Sequence, residues 1–204
     1  NSKLINEIII ATTDLTSDDV IVDFCKNHDL KYFRGSNTNV LERYFECAKL
    51  FNSKNILRVT SDCPLIDPQL IDQGIEKFLH EPCDYLSNSI TPTFPHGLDF
   101  QIFTLNTLRI AFENANLESE REHVIPYIIN NSKKFKIYDM QNPKNFSNFR
   151  ITIDWKDDLE LVKEIVKHIS DRPITMHQII TTLEKYPELI KINSKHFRNT
   201  DHLK

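Results

Sequence analysis

Short β-branched runs alternate along this chain with segments whose apolar residues recur every three or four positions. No other feature constrains the fold as tightly. Residues 6–12 (NEIIIAT) read as a buried strand because the run is short, continuous and β-branched. Val20, Ile21, Phe24 and Cys25 then repeat at helical spacing. Residues 30–34 suit a second strand, and Val40, Leu41, Tyr44, Phe45, Ala48 and Phe51 mark a second helix. Residues 55–60 form the next strand. Asp67-Pro68 opens the following helix, with a side-chain acceptor at the cap and a residue lacking an N–H in the first turn. Further strands are predicted over 84–88, 98–103, 135–140 and 149–153, and helices over 105–114, 120–131, 156–169 and 175–186. Strands regularly separated by helices predict one α/β sandwich over residues 1–192, with a polar tail over 193–204.

Charge and composition exclude several functions. The 25 basic residues against 29 acidic ones leave a net charge of −4, so no chain-wide positive field exists for nucleic acid or an anionic membrane. The longest apolar stretches fall far short of the roughly 20 residues a membrane span needs. Cys25, Cys47, Cys63 and Cys83 form no CxxC pair and no dense disulfide pattern, which predicts a cytoplasmic protein. The three glycines, Gly35, Gly74 and Gly97, are too scattered for a glycine-rich phosphate cradle. There is no GxSxG elbow, no HExxH and no clustered Cys/His pattern.

In an α/β sheet, ligands sit beyond the carboxyl ends of the strands. That rule selects Thr12-Thr13-Asp14, Thr60-Ser61-Asp62 and Asp154. Two carboxylates from separate strand ends suit Mg²⁺, which takes one or two protein carboxylates and fills its shell with water and substrate phosphate. The same aspartates suit capping of their own turn and helix, the commoner use of such residues. Arg34 and Arg43 flank a polar loop at Gly35-Ser36-Asn37 that fits either a nucleotide or plain solvent. His96 and Asp99 lie at the mouth of a strand. Arg121 and His123 stand in a dense charged segment, a pattern also common at exposed helix ends.

Taken in order, the segments NEIIIATTD (6–14), YFRGS (32–36) with VLERY (40–44), RVTSDCPLID (58–67), FPHGLD (94–99), SEREHVIPY (119–127) and RITID (150–154) resemble the cytidylyltransferase family. The likeness is to the branch of spore-coat polysaccharide biosynthesis proteins of the SpsF type, related to the acylneuraminate and 3-deoxy-manno-octulosonate enzymes. It covers about residues 6–193. The resemblance implies a Rossmann-like nucleotidyltransferase sandwich with a mostly parallel mixed sheet. It also implies transfer of CMP from CTP to a sugar acid or phosphorylated acceptor, release of pyrophosphate, and a Mg²⁺ requirement. Asp62 and Asp154 match the family's metal-binding aspartates. Arg34, Arg43, Thr60 and Ser61 fall where it lines the nucleotide pocket, and His96, Asp99, Arg121 and His123 are placed on the acceptor side. Members often form homodimers.

The family also opens with a strand and a basic, glycine-rich loop that binds the triphosphate, and no segment here matches it. The expectation is therefore of strands with open edges and of weak CTP binding by these 204 residues alone. A non-catalytic nucleotide- or partner-binding protein, and a nucleotidyltransferase or glycosyltransferase using another nucleotide, are the alternatives.

Overall fold

The computed structural model describes residues 1–196. The chain clusters into two compact units, neither continuous in sequence. Among the described residues, the first holds Ile5–Ile56 and Phe103–Ile137; the second holds Asn1–Leu4, Leu57–Ile102 and residues 138–196.

In the first unit, strand β1 (Ile9–Thr13) pairs in parallel with β2 (Lys31–Gly35), Ile9 facing Lys31 and Thr13 facing Gly35. A short 3₁₀ turn leads from β1 into helix α1 (Asp19–Asn27), which buries only Val22 and Cys25. Helix α2 (Val40–Leu50) starts at Asn39, whose side chain accepts from the Glu42 amide, and buries Leu41, Phe45, Cys47 and Ala48. Its Phe45 ring stacks on Phe112 of α4 (Leu105–Asn114), centroids 4.7 Å apart. The strand expected to be buried is only half so: Ile8 is 60 % exposed. Among the described residues β2 is the only strand paired with β1, and a two-stranded ladder covers a strand on fewer sides than a sheet interior does. The predicted helix over 120–131 divides into α5 (Glu118–His123) and α6 (Pro126–Asn130). Pro126 donates no amide to a preceding turn, and Val124 takes φ 68°, a conformation a β-branched residue adopts only under strain.

A four-stranded sheet runs in the order β3 (Asn55–Arg58), β5 (Gln101–Thr104), β4 (Tyr85–Ser87), β6 (Ile137–Asp139). Helix α3 (Pro68–His80) begins as the sequence predicts: Asp67 caps it by accepting from Gln69 N at 2.7 Å. The other Asp67 oxygen takes the amide of Met176, the first residue of α8 (Met176–Lys185), tying two helix starts of the second unit to one carboxylate. Helix α7 (Lys156–His168) packs on α8 and on a 3₁₀ turn at Leu189–Ile192. Asn193, placed by sequence in the polar tail, is 3 % exposed, and residues 197–204 of that tail lie outside the described residues. Among the described residues no helix is long and apolar enough to cross a membrane.

The strand predicted over 149–153 is not one. Among the described residues only a single parallel bridge forms there, between His96 and Arg150. The partner backbone turns away at Gly97 (φ 109°), so the ladder cannot continue, and Ile153 N bonds the carbonyl of Asp62 instead.

Candidate active site

Within the second unit, three loops converge. Thr60 and Ser61 follow β3; Thr60 O accepts from Cys63 N at 3.2 Å, which tightens the turn and leaves Ser61 exposed. Asp62 at the tip is held twice by the 152–153 backbone segment. Its carbonyl accepts from Ile153 N at 2.9 Å, and its Oδ2 accepts from Thr152 Oγ1 at 3.1 Å. Asp154 is the next residue along, with Oδ2 bonded to Arg150 Nη2 at 2.5 Å and its side chain 46 % exposed. The two aspartates selected from sequence thus flank one anchored stretch of backbone. Burial, reinforced by the charges of Asp62 and Asp99, pushes the Cys63 thiol up to about 12, so it packs and does not react.

The third loop brings His96 and Asp99, with His96 Nε2 3.8 Å from Asp99 Oδ2 and both side chains largely buried. Gly97 is required here. Beyond its positive φ, a Cβ would lie 2.6 Å from Thr152 N and 2.7 Å from Ile151 C. That close approach carries the His96 loop onto the segment that anchors Asp62.

Sequence reading missed the group that joins these parts. Arg150 donates from Nε and Nη2 to the two oxygens of Asp158, at 3.0 and 2.8 Å, and from Nη1 to His96 Nδ1 at 3.1 Å. Asp158 is fully buried and also accepts from the amides of Asp154 and Trp155 and from Asn193 Nδ2. Asp158 was legible as an acid three residues beyond a helix start. Arg150 was not, because one of its partners lies 54 residues away.

The first unit holds the other predicted residues. A shallow pocket of about 370 Å³ is lined by Asp14, Phe33, Gly35, Ser36, Asn37 and Arg43, with Glu42 and Glu46 on the α2 side. Arg43 Nη1 donates to Ser36 O, and its Nε is buried without a hydrogen-bond partner among the described residues. Arg34 does not line this pocket. Its three nitrogens bond Thr13 O, Leu15 O and Asp19, stitching the β1–α1 connection. Arg121 Nη2 bonds Ala115 O, and half-buried His123 precedes the strained Val124.

Beyond β1, Asp18 accepts from the Thr12 and Thr13 hydroxyls at 2.6 and 2.7 Å and from the Thr13 amide. The Thr12 and Thr13 hydroxyls, then that amide, hold its carboxyl at about 2, below the ordinary 3.8. A depressed carboxyl contributes stability above its unfolded pKa, lost as pH falls through the folded one. Carboxyl-detected NMR titration should place the Asp18 midpoint near 2, with T12V moving it upward. A midpoint near 4 in the unsubstituted protein contradicts these bonds.

A family model described as cytidylyltransferase matches residues 1–191. The chain belongs to the cytidylyltransferase family. It is 36 % identical over 195 residues to an uncharacterized protein of Methanocaldococcus jannaschii, covering 95 % of this chain and 79 % of that protein. It is 29 % identical over 187 residues to the spore coat polysaccharide biosynthesis protein SpsF of Bacillus subtilis, covering 90 % and 77 %. Among solved structures, a cytidylyltransferase from Leptospira borgpetersenii superposes with a TM-score of 0.91 at 32 % identity, over 97 % of this chain and 83 % of that one. A 4-diphosphocytidyl-2C-methyl-D-erythritol synthase from Anaerococcus prevotii shares the fold at a TM-score of 0.54 and 16 % identity, over 80 % of this chain and 82 % of that one. The architecture is accordingly the Rossmann-like nucleotidyltransferase fold expected from sequence, and the chain is a nucleotidyltransferase by family.

Proposed function

We propose that this protein transfers CMP from CTP to a small acidic or phosphorylated sugar-type acceptor, in the synthesis of a surface polysaccharide. Family membership and the likeness to SpsF support the reaction class. The observation that carries the site is the anchoring of Asp62 on the backbone that leads directly into Asp154.

These residues fit Mg²⁺. They are hard oxygen donors, two in number, and among the described residues no group of three or more His, Cys, Asp or Glu forms a cage. Such a sparse set suits an ion that keeps waters and substrate phosphate in its shell. Asp62 and Asp154 would hold it, and it would supply charge neutralisation at the α-phosphate. Thr152 Oγ1 donates to Asp62 Oδ2, and Arg150 Nη2 to Asp154 Oδ2. An acceptor oxygen attacks the α-phosphorus, the bond to the pyrophosphate oxygen breaks, and the acceptor's proton passes to solvent. This displacement needs alignment and charge stabilisation more than a strong base. In the first unit, Gly35, Ser36, Asn37 and Arg43 line a pocket of a size suited to a nucleoside.

Calorimetry of CTP with Mg²⁺ tests the reading. D62N should weaken binding about tenfold and lower CMP transfer by about 100-fold, with CTP preferred over ATP, GTP and UTP in competition. Undiminished binding by D62N, or equal competition by all four nucleotides, overturns it. Specific CTP binding without transfer favours the non-catalytic alternative.

A further inference from the structure

An arginine beside an exposed carboxylate and an imidazole is ordinarily read as a phosphate ligand, yet the geometry of Arg150 points elsewhere. A guanidinium has five N–H donors. Four of those of Arg150 are committed: one from Nε and one from Nη2 to Asp158, a second from Nη2 to Asp154, and one from Nη1 to His96. Its side chain is 9 % exposed and its main partner, Asp158, is wholly buried. Its own backbone is fixed as well. His96 N bonds Phe149 O, Ile151 N bonds His96 O, and Arg150 O accepts from Asn193 Nδ2.

We propose that Arg150 is a positioning residue for nucleotidyl transfer: through one guanidinium it sets the carboxylate of Asp154 and the tautomer of His96, with Asp158 as its fixed counter-ion. The inference rests on the reading of Asp154 as a site residue given above. An exposed aspartate alone samples several rotamers; the bond from Nη2 to Oδ2 selects one and leaves Oδ1 without a hydrogen bond among the described residues. The imidazole is set in the same way. Arg150 can only donate, so Nδ1 must be the acceptor and the ring proton of neutral His96 lies on Nε2, the nitrogen facing Asp99 at 3.8 Å. Asp158 holds the fork in place by bidentate pairing, which a lysine cannot reproduce.

Nitrogen-15 NMR of the imidazoles, without substrate, reads the tautomer directly. The expected spectrum shows His96 with a bare Nδ1 and a protonated Nε2; a protonated Nδ1 in neutral His96 overturns the proposal. R150K retains a positive charge against Asp158 but cannot fork to all three partners. It should give a tautomer mixture at His96 and a kcat about 30-fold lower, with KM for CTP within about threefold. An R150K protein that keeps both the single tautomer and kcat overturns the positioning role. Should R150K not fold, the tautomer of the unsubstituted protein still decides the His96 half of the assignment. Failure of the CTP reading shows separately, as D62N without effect, because the imidazole spectrum needs neither nucleotide nor metal.

Discussion

Replacing Asp158 by alanine is expected to destabilise the protein by about 3–5 kcal/mol, the range for breaking a buried ion pair from one side. Asp158 is fully buried and accepts five hydrogen bonds, two from Arg150, one from Asn193 and one each from the amides of Asp154 and Trp155. Alanine strands the guanidinium in a largely buried site and orphans two amides at the start of α7, whose desolvation is then uncompensated. D158N keeps one acceptor oxygen and should cost less. Burial alone would raise this carboxyl; the Arg150 and Asn193 bonds, followed by the two amides, instead hold it at about 2, below the ordinary 3.8. Because the folded pKa is depressed, the contribution is complete above about pH 4 and disappears as pH falls through about 2. Urea unfolding of both proteins at pH 7 and pH 3 measures this. A difference under 1 kcal/mol at pH 7, or one that grows on acidification, contradicts the assignment.

Gly97→Ala is expected to cost about 3 kcal/mol or more. At φ 109° an L-residue is strained before any contact is considered. The added methyl would also meet Thr152 N, Ile151 C and Ile151 O at 2.6, 2.7 and 3.0 Å, all backbone atoms that cannot rotate away. Relief requires the 149–152 segment to separate from the His96 loop, and that segment carries Thr152, the anchor of Asp62. The substitution should therefore lower the melting temperature by roughly 6–12 °C for a chain of this length and weaken Mg²⁺-dependent CTP binding together with it. A stable G97A protein with normal CTP binding would show that this close approach is dispensable.

The candidate site is partly legible in the sequence. Asp62 and Asp154 stand out in the sequence because each follows a predicted strand, a local signal. Cys63 would have tempted a reactive reading, but burial and two nearby carboxylates make it inert. Arg34 and Arg43 looked equivalent in sequence, nine residues apart on either side of one polar loop. In the structure Arg43 lines a pocket while Arg34 closes the β1–α1 connection, because the Thr13 and Leu15 carbonyls and Asp19 lie within its reach.

Helix starts at Asn39, Asp67 and Thr175 follow from the chain itself, since a capping side chain and the amide it serves lie within three residues of each other. The alternation of strand and helix, and with it the fold class, is likewise a short-range pattern. The failure of 149–153 to become a strand, the half-exposure of β1 and the identity of Arg150 as the hub were decided by tertiary structure. Each depends on a neighbour distant in sequence: a glycine that turns the partner strand away, a ladder with one side open, a histidine and an aspartate brought to one guanidinium. Hydrophobic periodicity records which face of an element is buried, but not which residue meets it there.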